Sequence, residues 1–150
     1  MNSLDKVALT GKLQISLNGK VVREVNNLVV TAGKEWVASR MQGVAAGVMT
    51  HMAMGTGTTA AVIGDTTLQT EVTRQALATS GGVVAGAIIT FERTFAADDP
   101  NVTAPTTSPI TEAGIFNAGV AGTMLARTVF PVVNKGETDT MTISWSVTIS

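Results

Sequence analysis

Apolar and polar residues alternate with a period of two along much of this chain. Over residues 7–17 the apolar side chains Val7, Leu9, Leu13, Ile15 and Leu17 all fall on odd positions, the spacing of a strand with one buried face. Asn18-Gly19 follows at once, a dipeptide that predicts the type I′ turn of a tight hairpin because both residues tolerate positive φ. "KVVREV" returns as the second strand, and Asn26-Asn27 interrupts it before "LVV".

At Thr31 the period changes. "AGKEWVASRMQG" reads as a helix with Thr31 as its N-cap, Val37, Met41 and Val44 on one stripe, Trp36 and Arg40 beside it, and Gly43 as its stop. The stripe is expected to cover an open face or end of a sheet. "VMTHMAM" then reads as a strand that runs into a glycine- and threonine-rich loop, in which Asp65 or Thr66 caps a short helical turn with Leu68 and Val72 inward. "RQALATSGGVVAGAIITFERTF" reads as two strands around Ser80-Gly81-Gly82, with Ala85, Ala87, Ile89, Phe91 and Phe95 sharing a face. Asp98-Asp99-Pro100-Asn101 predicts a turn and "VTAPTTSP" an extended loop.

"ITEAGIFNA" and "TMLARTVF" make a further hairpin through "GVAG", which Pro131 is expected to break, and residues 134–137 turn the chain into the last strand. There Met141, Ile143, Trp145, Val147 and Ile149 point one way and Thr140, Thr142, Ser144, Ser146 and Thr148 the other. Short strands separated by turn signals, with one helix in the N-terminal third, predict a mainly β fold. The expected form is a single antiparallel β-sandwich or jelly-roll-like domain over residues 1–150, with residues 1–12 as a candidate N-terminal arm.

Composition narrows the function. The chain holds 45% hydrophobic and only 14% charged residues, with a net charge of −1 and a mean hydropathy of +0.31, whereas an average soluble domain is about a quarter charged. So little charge suits a protein with much of its exterior against neighbours. Direct nucleic-acid binding through a basic surface is not expected. The N-terminus lacks a signal-peptide pattern and the longest apolar run, "GGVVAGAIITF", is far short of the roughly 20 residues of a membrane helix. A soluble protein made in the cytoplasm is the expectation.

Candidate chemistry is sparse. Cysteine is absent, so no thiolate can act as ligand or nucleophile. Gly55 and Gly57 in "HMAMGTGTT" suggest a phosphate loop, but a P-loop needs a lysine that reaches the phosphates, and no lysine lies between Lys34 and Lys135. His51 is the sole histidine, which excludes a multi-histidine metal site, and no serine sits in a G-x-S-x-G elbow. It is read as packed or hydrogen-bonded. Glu92, Asp98 and Asp99 lack calcium-loop spacing. Trp36 and Trp145 sit on apolar faces and read as core, which leaves few aromatics for a sugar platform. The expectation is therefore no catalytic residue, no cofactor and no metal.

Three segments resemble a family. "NLVVTAGKEWVASRM" is similar to the opening of small virion proteins of tailed bacteriophages, and "ITEAGIFNA…GTMLARTVF…VNKGETDTMTISWSVTI" to their C-terminal half. "THMAMGTGTT…DTTLQTEVTR" is similar to a pattern shared with the N-terminal attachment domains of contractile-tail fibres. Together these cover about residues 28–74 and 110–149. The resemblance implies a non-enzymatic structural protein of the phage particle. A fibre would carry a long shaft after this region, and the chain ends at Ser150, so the expectation is a stand-alone capsid decoration or cement protein on the particle surface. Its implied partners are the major capsid protein or other virion proteins and copies of itself, as a trimer or dimer. A tail-fibre or baseplate attachment component, or a carbohydrate-binding module, is the alternative. The candidate assembly contacts are Thr58, Thr59, Val62 and Ile63 on the loop, and Leu4 and Val7 on the arm.

Overall fold

The computed structural model describes residues 6–43, 47–97 and 107–150. Among these described residues nine strands and one helix follow in order: β1 (Leu9–Leu17), β2 (Lys20–Val29), α1 (Thr31–Met41), β3 (His51–Gly55), β4 (Glu71–Ala76), β5 (Val83–Ala85), β6 (Ile88–Phe95), β7 (Thr107–Phe116), β8 (Met124–Gly136) and β9 (Met141–Ile149). Every pairing is antiparallel, and the strands form one curled sheet in the order β4-β3-β7-β8-β2-β1-β9-β6-β5. The mainly β fold with a single helix is as the hydrophobic period predicts.

The sheet curls on β2. Residues up to Asn27 pair with β1, where Asn27 lies opposite Gly11. Leu28 and Val29 pair instead with Arg127 and Ala126 of β8. The Asn26-Asn27 signal therefore marks a corner within a continuous strand, not the end of one. Folding at this corner lays Leu13, Ile15, Phe91, Phe95 and Trp145 against Met52, Met54, Ile115 and Phe130 in the main core, the two-layer burial of a sandwich. Asn18 and Gly19 both take positive φ, as the predicted type I′ turn requires. The Asn18 amide also ties that turn to the β8–β9 connection by donating to Asp139 at 2.8 Å and accepting from the Thr140 N–H at 2.9 Å.

Several local expectations are corrected. Val30, not Thr31, occupies the N-cap, and no side chain caps the helix there. Of the expected stripe only Val37 docks, since Met41 is 87% exposed; the closest approach is at Gly33, where a Cβ would stand 2.2 Å from the Leu125 carbonyl. Half-buried Trp36 and Val37 pack on the core beside it. Gly43, with φ +78°, ends the helix as expected. Pro131 does not break β8: the pairing slips between Ile110 and Glu112, and a bulge accommodates a residue that lacks an N–H. The strands around Ser80 number three, with the tight turn at Gly86-Ala87. Leu9 and the residues to Lys12 lie in β1, which shortens the arm. Thr107, Ser108 and Pro109 begin β7 rather than remaining in a loop. Leu4, Val44 and the turn at residues 98–101 lie outside the described residues.

Candidate functional site

The loop that leaves β3 is built around a buried carboxylate. β7 runs through the middle of its half of the sheet with residues 110–116 all buried, and the slip in pairing near Thr111 turns Glu112 onto the outer face. On β8, Arg127 stands opposite Gly114, so Glu112 and Arg127 are diagonal neighbours on that face. Both are covered by residues 56–70, and Glu112 is 0% exposed.

The carboxylate is fully engaged. Its Oε1 accepts the N–H of Thr70 at 2.7 Å and of Gly57 at 3.0 Å. Its Oε2 accepts the N–H of Gln69 at 3.0 Å together with Nε and Nη2 of Arg127 at 3.0 and 2.9 Å. The guanidinium continues outward to Asp65 Oδ2 at 2.9 Å and to the Thr59 carbonyl at 2.9 Å. Burial by itself would raise the Glu112 pKa; the N–H groups of Thr70 and Gln69, the Arg127 guanidinium and the Gly57 N–H outweigh it and hold the carboxyl below its ordinary value.

This explains the glycines. A Cβ at Gly55 would meet the Thr70 carbonyl at 2.2 Å and Glu112 Oε1 at 2.6 Å, and one at Gly57 would meet the same oxygen at 2.5 Å. The backbone cradles an anion, though no phosphate loop was expected here, and the anion is the chain's own side chain. Further bonds hold the loop: Thr59 N–H to Gln69, Val62 N–H to Asp65, and the Thr111 hydroxyl of β7 to the Gly57 carbonyl at 2.7 Å. Leu68 closes a second small core with Val30, Ala53, Phe116 and Met124 beneath the loop. No helical turn forms there; residues 71–76 are β4, and Leu68 is inward as expected while Val72 is half-buried.

The predicted site residues fall in three places. Thr58, Thr59, Val62 and Ile63 are exposed near the loop tip, Val62 by 56% and Ile63 by 59%. Val7 is 79% exposed just before β1, away from that group in the chain order, and Leu4 is outside the described residues. His51 is half-buried against the Thr50 hydroxyl at 2.8 Å, and burial, then the charge of Arg74, lowers its pKa. Glu71 and Arg74 pair at 2.7 Å on a strand rather than a helix. Arg74 also lies 3.6 Å over the Phe116 ring and donates to the carbonyls of Ala118 and Ala121, which fixes the β7–β8 turn.

Glu112 and Arg127 were not singled out as a pair by sequence reasoning. The available signal was one charge inside each of two apolar runs, "ITEAGIF" and "TMLARTVF", on adjacent strands of one hairpin. Among the described residues no group of three or more His, Cys, Asp or Glu side chains could hold a metal ion, and no helix is long and apolar enough to cross a membrane. A second feature is an apolar groove of about 440 Å³ between α1 and the β5–β6 hairpin, lined by Trp36, Met41, Val84, Ile88 and Ile149 among others. The chain matches no protein-family model, no curated protein and no solved structure.

Proposed function

We propose that this protein is a non-enzymatic structural subunit of a tailed-phage virion, a capsid decoration or cement protein that binds the outer shell over joints between major capsid subunits. The observation that carries this reading is the 56–70 loop. Its base is locked by the Glu112–Arg127 cluster, while its tip, "TTAAVIG", holds no charge and exposes Val62 and Ile63. A loop fixed at its base and apolar at its tip presents a preorganised contact surface, which loses little conformational freedom on binding. Glu112 and Arg127 direct their charge to each other, to Asp65 and to backbone groups of the loop. The resemblance of three segments to small phage virion proteins, and the low overall charge, support the same reading.

Mechanistically, each bound copy adds buried interface across a joint that packaged DNA pushes outward, and binding to the assembled shell alone stabilises it by mass action. Heads purified without tails and saturated with the protein test this. The expected result is specific, saturable binding that Val62→Glu weakens by at least tenfold while the variant's thermal unfolding matches wild type. Binding confined to tails or baseplates would move the protein to the alternative attachment role, and retention on a glycan array without particle binding would favour a carbohydrate module.

A further inference from the structure

The turn between β1 and β2 carries a reactive dipeptide that the fold holds still. Of the chain's asparagines only Asn18 precedes a glycine. Both residues are exposed, and apart from chain neighbours no described heavy atom lies within 4 Å of where a Cβ on Gly19 would stand. The Gly19 nitrogen is therefore open to water and unhindered toward the Asn18 side chain. Yet the β8–β9 connection clasps Asn18 three times. Its backbone N–H donates to the Thr140 carbonyl at 2.8 Å, its Oδ1 accepts the Thr140 N–H at 2.9 Å, and its Nδ2 donates to Asp139 Oδ1 at 2.8 Å. Asp139 is itself fixed, because its Oδ2 accepts the Gly136 N–H at 2.7 Å. The Asn18 amide, then the Gly136 N–H, hold the Asp139 carboxyl below its ordinary value, so at neutral pH it only accepts.

We propose that Asn18 is a site of hydrolytic self-modification, guarded by Asp139 and Thr140, whose conversion releases the β1–β2 turn from the β8–β9 connection. The Gly19 nitrogen gives its proton to solvent and bonds to Asn18 Cγ; the Cγ–Nδ2 bond breaks, and Nδ2 takes up a proton and leaves as ammonia. Water then adds to either carbonyl of the cyclic imide, which opens to aspartate or isoaspartate. The atom that leaves is the one bonded to Asp139, so the clasp opens as the reaction proceeds, and holding it shut slows the step. The product replaces a donor by an acceptor. A carboxylate at position 18 then faces that of Asp139 with no proton between them, and like charges at that distance repel. The isoaspartate form also lengthens the main chain inside a two-residue turn that needs positive φ at both positions. This site goes beyond the shell role and does not rest on it.

Peptide mass mapping of the full chain during incubation in mildly alkaline buffer tests the guard. Asp139→Ala is expected to speed conversion at Asn18 at least tenfold over wild type, while the exposed Asn26 keeps its wild-type rate. A pair of variants tests the release without depending on that one. Asn18→Asp, the product of the reaction, is expected to lower the thermal midpoint. Adding Asp139→Asn puts a donor back opposite the new carboxylate and is expected to recover at least half of the loss, a coupling that two independent sites would not show. Asn18 that converts no faster in Asp139→Ala, or Asn26 that speeds up by the same factor, overturns the guard. A midpoint that Asn18→Asp leaves unchanged, or a loss that Asp139→Asn does not recover, overturns the release.

Discussion

Two regions of this domain fix their loops by different means. Around residues 56–70 the backbone is held by a buried carboxylate, a guanidinium and the N–H groups of Gly57, Gln69 and Thr70. Around the groove, α1 packs on the core through half-buried Trp36 and Val37 and faces the β5–β6 hairpin across apolar side chains, with the Trp36 indole donating to the Gly47 carbonyl at 2.8 Å. A buried charge tolerates one arrangement of donors, so the first region has a single geometry and little freedom to change. Apolar contact is non-directional, so the second region can stay partly open and still be stable. Specific placement and adaptable surface are thus separated within one small domain.

The largest expected effect comes from breaking the polar lock. Glu112→Ala leaves Arg127 buried without its main partner, which costs about 3–5 kcal/mol in comparable sites. Urea unfolding should show that loss, and a variant within about 1 kcal/mol of wild type would mean that water replaces the carboxylate and the loop is not anchored by it. Acid sharpens the same point. The folded Glu112 pKa lies below its ordinary value of 4.5, so its contribution is fully present above that value and is lost as pH falls through the lower, folded value. The wild-type unfolding midpoint should therefore drop below pH 4.5 more steeply than that of Glu112→Gln; parallel curves would assign the acid sensitivity elsewhere.

Next come the close backbone approaches, one in each region. A methyl at Gly55 would stand 2.2 Å from the Thr70 carbonyl, and one at Gly33 2.2 Å from the Leu125 carbonyl. Overpacking of this kind costs about 1–3 kcal/mol. The contrast lies in how each region yields. Gly55→Ala must also displace Glu112 Oε1, so it should disturb the hydrogen-exchange protection of the Gly57, Gln69 and Thr70 amides. Gly33→Ala should shift α1 outward and leave those three amides as protected as before. Equal loss of protection in both variants would show that the two regions are mechanically coupled.

What the sequence made legible follows the same division. Periodicity located the alternating strands β1 and β9 and the type I′ turn because each obeys one local rule: one face apolar, or Asn-Gly at positive φ. It failed where a residue answers to a distant partner. Pro131 looks like a breaker until its strand is seen to carry a bulge opposite residues 110–112, with Arg23 bonded to the Pro131 and Val132 carbonyls. Met41 fits a helical stripe, yet of that stripe only Val37 packs on the core, and the closest approach is made by Gly33, whose missing side chain leaves no hydropathy signal. Gly55 and Gly57 were legible as backbone freedom, but what they approach, Glu112, lies about 55 residues on. Only the register of β3 on β7, with Gly55 opposite Glu112, joins them.

The smallest effect concerns the groove rim. Met41 is 87% exposed at the end of α1 and lines the groove without filling it. Substituting such a residue usually changes stability by no more than about 0.5 kcal/mol, so Met41→Ala should unfold with wild type when both are compared at one protein concentration. The same change in a residue that plugged the apolar core would cost about 2–5 kcal/mol. A loss in that higher range would show that Met41 closes the groove in solution, and the groove would then count as part of the packed core rather than as adaptable surface. Parity with wild type leaves the division intact: charge and backbone amides hold one region to a single shape, and the other keeps apolar surface open without needing it for the fold.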